Sequence, residues 1–316
     1  MSATGTLRLT TRHAALLEQA LRSAPVDELV ALLWKLRRRR SVASASSAAL
    51  SQARALELVD ASTSAPPRLT PLGAKVSDSL NEYSYWMQRG KRHHWSEELR
   101  ALRTERLRGK RILEIGCGAG VNLLSLQRIT AVVGIDVEPL YLQFGAILAR
   151  LEGVAAPARV CGFAERLPFE DESFDVALFH GSLAYMDIEF ALREAARVLR
   201  PGGRVIAILA DLRQALADRA RQRRFALLKP GVLAREGRSF LGMLAYPWVG
   251  RLFLAPFAPV HVTRRRTRRW MTAAGLQPNP LESETVACET CFVADKAGAA
   301  GRARSPTAVV AHARAR

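Results

Sequence analysis

The sequence predicts an α/β fold, a doubly wound parallel sheet with helices on both faces, preceded by a mainly helical module. Short apolar runs recur at 111–115, 131–135, 159–161, 174–179 and 204–209. Strands that alternate with helical stretches of ten or more residues make a parallel sheet. The first run opens directly into Gly116-Cys117-Gly118-Ala119-Gly120, a glycine turn leading into a helical stretch over 119–128. A third observation marks the leading module: Val26, Leu29, Val30, Leu33 and Leu36 form an apolar stripe at helical spacing.

Within residues 1–80 the stripe predicts a helix over 26–38. After a Ser/Ala-rich turn, 43–58 reads as a second helix that runs into Leu56-Glu57-Leu58-Val59-Asp60. A Ser/Thr/Pro loop then leads to Arg68-Leu69-Thr70-Pro71-Leu72-Gly73, where Thr70 can N-cap a helix that has Pro71 at its first position. Helix, helix, short strand, loop, short strand, helix is a winged-helix order, and 81–108 reads as a helical linker. Such a module can bind DNA through the helix at 43–58. That helix offers Ser, Ala, Gln52 and Arg54, a thin supply of base-reading side chains.

In the sheet region the glycines sit where a backbone can approach a ligand, because Gly116, Gly118 and Gly120 have no Cβ. A dinucleotide-binding turn wants a small residue where this chain has Val121, which weakens that reading. The second apolar run ends on Asp136, a carboxylate placed to accept from the two hydroxyls of a ribose. The third leads into Gly162-Phe163-Ala164-Glu165-Arg166-Leu167-Pro168-Phe169. The fourth ends beside His180, and Arg197-Val198-Leu199-Arg200-Pro201-Gly202-Gly203 leads into the fifth.

These motifs, in this order over about a hundred residues, resemble the class I S-adenosylmethionine-dependent methyltransferases of small-molecule metabolism. The resemblance covers 109–296 and implies a Rossmann-like seven-stranded sheet with S-adenosylmethionine as cofactor. It places Glu114, Gly116, Gly118 and Gly120 at the methionine end, Asp136 at the ribose, and Phe163 and Ala164 at the adenine, with Val137 a further cofactor contact. Many relatives have Asp where this chain has Phe163, which supplies an apolar wall but no acceptor. Phenol-methylating members carry a His in the stretch occupied here by Leu183-Ala184-Tyr185-Met186-Asp187. His180 is the remaining candidate base, with an ordinary pKa of about 6.5, and it also stands where relatives border the cofactor. Tyr83, Tyr85, Trp86 and Tyr185 are the candidate substrate contacts. By the same resemblance, the N-terminal module mediates homodimerisation and walls the substrate pocket, a role favoured here over DNA binding.

Nucleic-acid methylation is disfavoured on the row itself. Amino-group methylation usually comes with an Asp/Asn-Pro-Pro-aromatic turn, and this chain has His180-Gly181-Ser182-Leu183 there. Cytosine C5 chemistry needs a nucleophilic Cys near the same strands, and none is placed to serve.

The net charge of +18 lies in the flanks, since 110–210 hold 10 basic and 12 acidic residues. Arg37-Arg38-Arg39-Arg40, the arginines of 221–224 and 264–269, and the tail carry the excess; such runs can dock on phosphates or simply solvate helix faces. The tail, 297–316, has the composition of a disordered segment. Residues 211–262 read as an insertion, half basic and half apolar, with Trp248, Phe253 and Phe257 suited to a lid over an apolar acceptor. Arg251 and three prolines interrupt it, which argues against a membrane span, and a peripheral membrane contact is the less favoured reading. Cys288 and Cys291 form a C-x-x-C without the second pair a structural zinc needs, so no metal is expected. With no secretion signal, the expected location is cytoplasmic. The expected function is methyl transfer to an apolar or aromatic small molecule, most often on oxygen. The alternatives are a winged-helix DNA-binding regulator that keeps a cofactor fold, and a peptide or RNA methyltransferase.

Overall fold

The computed structural model describes residues 8–23, 26–38, 41–42, 45–60, 66–92, 107–209, 263–279, 285–286 and 289–298. Four helices come first: α1 (Thr11–Ser23), α2 (Val26–Arg37), α3 (Ser47–Ala55) and α4 (Pro71–Arg92). Then follow β1 (Arg111–Ile115), α5 (Val121–Leu126), β2 (Ala131–Asp136), α6 (Pro139–Leu151), β3 (Ala158–Cys161), β4 (Phe174–His180), α7 (Ile188–Val198) and β5 (Leu199–Leu209). The chain closes with α8 (Arg264–Ala273), β6 (Leu276–Pro278), β7 (Thr285–Val286) and β8 (Glu289–Lys296). The chain divides into two compact units, Met1–Gly109 with Gly116–Phe163, and Lys110–Ile115 with Ala164–Arg316.

In the first unit, α1 was not anticipated, although Leu17, Ala20 and Leu21 bury one face of it. α3 is shorter than its expected span. Ser46 is its N-cap and accepts from the Ala49 N–H at 3.2 Å, while Glu57, at φ 56, turns left-handed just past its end. Among the described residues the expected pair of wing strands is an isolated antiparallel bridge, Val59 with Leu69. The hydrogen bonds on either side of it run from Asp60 N to Arg68 O at 2.9 Å and from Thr70 N to Leu58 O at 3.0 Å. Pro66 and Pro67 have no N–H, so the ladder cannot grow in that direction. Thr70 caps α4 as its sequence predicts, accepting from Gly73 N at 2.9 Å. Gly73 itself is required, because a Cβ there would lie 1.8 Å from the Leu58 carbonyl.

The helices of this unit share one apolar core. Leu17, Leu29, Leu33, Leu58, Val76 and Leu80 belong to the same buried cluster as Val121, Leu124, Leu140, Phe144, Ile147 and Leu148 of α5 and α6. Polar ties follow the same route: Leu9 N donates to Gln143 Oε1 at 2.7 Å, Arg150 pairs with Glu18 at 2.7 Å, and Tyr83 donates its hydroxyl to Glu152 at 2.6 Å. Here β2 and β3 pair in parallel, with Asp136 opposite Cys161.

The second unit holds a mixed sheet. β1 and β4 are parallel, with Glu114 opposite Leu178, and β4 and β5 are parallel, with His180 opposite Ile208. β8 runs antiparallel to β5 and to β6. The strand order is β3-β2 in the first unit and β1-β4-β5-β8-β6 in the second, with β7 paired to β8. These seven strands on the main path make the Rossmann-like α/β architecture expected from the sequence; its antiparallel member follows from the short return out of β6. β5 starts five residues earlier than expected. Leu199 pairs with Phe174 before the register breaks, and Arg204 then pairs with Val176. The intervening Pro-Gly-Gly bulges out, Gly202 at φ 78 and Pro201 without a donor.

Arg197 of α7 fastens the segment ahead of β4. Its guanidinium donates to the carbonyls of Phe169 and Leu167 at 2.8 and 3.0 Å, and to Asp171 and Glu194 at 2.7 and 2.8 Å. Both acids favour the charged guanidinium and raise its pKa, most through Glu194.

Candidate active site

The turn after β1 folds as the glycines demand. Gly116, Gly118 and Gly120 all have positive φ, at 75, 54 and 73°, the region that side chains avoid. Gly120 is the N-cap of α5, and the N–H of Gly116 donates to the Ile135 carbonyl at 2.8 Å. Two further glycines let the elements around the turn close in. A Cβ on Gly134 would lie 2.7 Å from Cys117 Sγ, and one on Gly145 would lie 2.3 Å from the Ala119 carbonyl oxygen.

Asp136 ends β2 in the first unit and is bonded to this turn. Its Oδ2 accepts from Gly118 N at 2.8 Å and its Oδ1 from Glu138 N at 2.9 Å. The carboxylate therefore cross-links the glycine turn to the β2–α6 turn, a structural duty that the sequence did not reveal. Each oxygen keeps a second lone pair, so two further donors can still be accepted. Burial holds the Asp136 carboxyl above the ordinary carboxylate range, against the two N–H donors that pull it down. Beside it Val137 is 45% and Phe163 65% exposed, uncommon values for such side chains.

The second unit carries the other candidates. Glu114 is buried at 1% exposure on β1. His180 ends β4, half-buried, and Gly181 after it has φ 69 with its N–H on the Ile208 carbonyl at 2.8 Å. Ser182, which the sequence reading did not single out, donates to the Ile115 carbonyl at 2.5 Å, tying the ends of β1 and β4 together. Ala164 is buried, and Tyr185, in the turn Leu183–Tyr185, is 47% exposed.

The substrate candidates on α4 divide. Tyr83 has its hydroxyl on Glu152, the C-cap of α6, while Asp136 precedes the other end of that helix, about 20 Å away along 13 residues. Burial and the Glu152 carboxylate hold its phenol above the ordinary range, so Tyr83 is an interhelical tie. The side chains of Tyr85 and Trp86 lie outside the described residues, as do 211–262, the tail beyond 298, and Cys288.

The comparisons with known proteins bear on this site. Residues 113–207 match the family described as "Methyltransferase domain". A phthiotriol/phenolphthiotriol dimycocerosates methyltransferase of Mycobacterium leprae (strain TN) is 36% identical over 152 residues, 47% of this chain and 50% of that protein. A fatty-acid O-methyltransferase of Mycolicibacterium smegmatis is 34% identical over 142 residues, 44% of this chain and 46% of that protein. The chain thus spans about half the length of these curated relatives. A Pyrococcus horikoshii OT3 protein of solved structure is 20% identical at a TM-score of 0.48, covering 63% of this chain and 88% of that one. The match is to a methyltransferase domain, and S-adenosylmethionine is the cofactor that the sequence motifs imply for it. The residues present fit it: a turn of three left-handed glycines, a half-buried carboxylate with lone pairs left for hydroxyls, and two exposed apolar side chains.

Proposed function

We propose that the chain is an S-adenosylmethionine-dependent methyltransferase acting on an apolar or aromatic small molecule, on oxygen. The observation that carries this reading is the coincidence of the family match at 113–207 with a built glycine turn and Asp136 inside it. The acceptor class draws on two relatives, one named for fatty-acid O-methylation and one for phthiotriol and phenolphthiotriol dimycocerosates.

S-adenosylmethionine supplies a methyl group already activated on a sulfonium, so the protein has chiefly to bind and orient. In this reading the left-handed glycines admit the backbone close to the cofactor, Asp136 accepts from the ribose hydroxyls, and Val137 and Phe163 wall the base. Glu114 and Ala164 complete the cofactor set. A carboxylic acid acceptor is ionised at neutral pH and needs no base. An alcohol does, and His180 at the end of β4 is the group for that proton. Tyr185 is the exposed aromatic for acceptor contact. The N-terminal helices with their single bridge form a winged-helix-like module over 1–80, linked by 81–108 to a catalytic domain at 109–296. That module serves homodimerisation, and the protein works in the cytoplasm. Among the described residues no helix is long and apolar enough to cross a membrane.

The test is methyl transfer from labelled S-adenosylmethionine to fatty acids, hydroxylated lipids and phenols. Label extracted into the organic phase as an ester or ether supports the reading. Label on added nucleic acid or peptide alone would replace it with one of the alternatives.

A further inference from the structure

The α6 N-terminus is tied to the N-terminal helices through Glu138. Glu138 occupies the N-cap and makes no side-chain cap hydrogen bond, although an acidic residue there has helix N–H groups within reach. Its carboxylate goes instead to Lys75 of α4, with Nζ 2.7 Å from Oε2 and only 29% and 19% of the two side chains exposed. The same ammonium lies 5.2 Å from the centre of the Tyr141 ring, in the first turn of α6. Lys75 therefore grips the start of α6 at two points. Its own position is fixed, since Thr70 caps α4 five residues earlier and Gly73 packs on the Leu58 carbonyl.

What Lys75 grips is the turn that orients Asp136. Glu138 offers its backbone N–H to Asp136 Oδ1, and Asp136 Oδ2 takes the N–H of Gly118. A chain of contacts thus runs from α4 through Glu138 and Asp136 into the glycine turn, entirely within the first unit. We propose that Lys75 is a positioning residue for the cofactor, which holds the 136–138 turn and neutralises Glu138 so that Asp136 can serve the ribose. This inference rests on the cofactor reading above and extends it to the N-terminal helices, which become part of the cofactor-binding unit. The charged groups that act on Asp136 are Glu138, which pushes its pKa up, and Lys75, which pulls it down; β3 brings the Cys161 thiol alongside in register.

The test is calorimetric binding of S-adenosylhomocysteine to the full chain and to Lys75→Met, Lys75→Arg, Glu138→Gln and the double variant Lys75→Met/Glu138→Gln, each across pH. The expected result is a roughly tenfold loss of affinity in Lys75→Met near neutral pH, substantial recovery in Lys75→Arg, and a double variant weakened less than the two single losses combined. The acid limb of binding should move to higher pH in Lys75→Met and to lower pH in Glu138→Gln, because the two charges act on Asp136 with opposite sign. A role confined to packing would lower the melting temperature of Lys75→Met and leave affinity and both limbs where they were, which overturns the proposal. Absence of binding by the unmodified chain would instead overturn the cofactor reading itself.

Discussion

Gly145→Ala is the most informative single change, because the added methyl group would press on the glycine turn from α6 without altering a residue assigned to the cofactor. Gly145 lies on the buried face of α6, and its Cβ would fall 2.2 Å from a terminal guanidinium nitrogen of Arg159 and 2.3 Å from the Ala119 carbonyl oxygen. The Arg159 end can swing away, but the carbonyl is backbone of the glycine turn and must move by about 1 Å to restore normal contact. Overpacking of this kind costs about 1–3 kcal/mol, partly offset by up to ~1 kcal/mol from replacing a helical glycine with alanine. A net destabilisation of about 1–2 kcal/mol lowers the melting temperature by roughly 2–8 °C for a domain of this size. The displaced turn should also weaken S-adenosylmethionine binding about tenfold, or ~1.4 kcal/mol. Thermal unfolding and titration calorimetry on the same preparation read both. Adding Arg159→Ala removes only the side-chain clash and should leave the affinity loss in place. Unchanged binding in Gly145→Ala would refute the argument that α6 sets the position of the turn.

Other expectations follow from the same geometry. Because burial raises the Asp136 pKa, its ionised form costs folding stability above that value, and the cost is relieved as pH falls through it; cofactor affinity should fall over the same window, and Asp136→Asn should abolish this acid limb in a calorimetric pH series. Arg197→Met removes the donors to the Leu167 and Phe169 carbonyls and should cost about 2–3 kcal/mol in urea unfolding, a figure tempered by the 31% exposure of the side chain. Glu194 is depressed by Arg197, so its contribution is present above the unfolded value near 4.5 and lost as pH falls through the lower folded one; Arg197→Met should flatten that acid loss. His180→Ala should slow transfer to a fatty acid only modestly, whereas a loss of 10²–10⁴ with an alcohol acceptor would assign it the base role.

Much of the sheet was legible because its strands are short apolar runs between helices, and backbone pairing follows that alternation with little tertiary override. The glycine turn and Asp136 were legible for a related reason: the conformation at 116, 118 and 120 is one that only glycine adopts freely. Less visible was what Asp136 does for the fold, since its bond to Gly118 spans 18 residues and leaves no local pattern. The start of β5 was hidden by Pro201-Gly202-Gly203, which reads as a turn although Leu199 already pairs with Phe174. Among the N-terminal helices, Thr70-Pro71 announced the start of α4, yet nothing near Lys75 announces a partner at Glu138. Among the described residues the wing, read from Leu58 and Leu69, is one bridge, and Pro66 and Pro67 have no N–H with which to extend it. The shared core of the N-terminal helices with α5 and α6 depends on faces meeting in space, which the helical stripe at Val26, Leu29 and Leu33 specifies only as buried.

Titration of S-adenosylmethionine into the purified chain, alongside Gly118→Val and Asp136→Ala, tests the central claim most directly. Saturable one-to-one binding by the unmodified chain is expected, with loss or strong weakening in both variants while their circular dichroism stays that of the folded protein. Equal affinity in all three, or no binding by the unmodified chain, would contradict it.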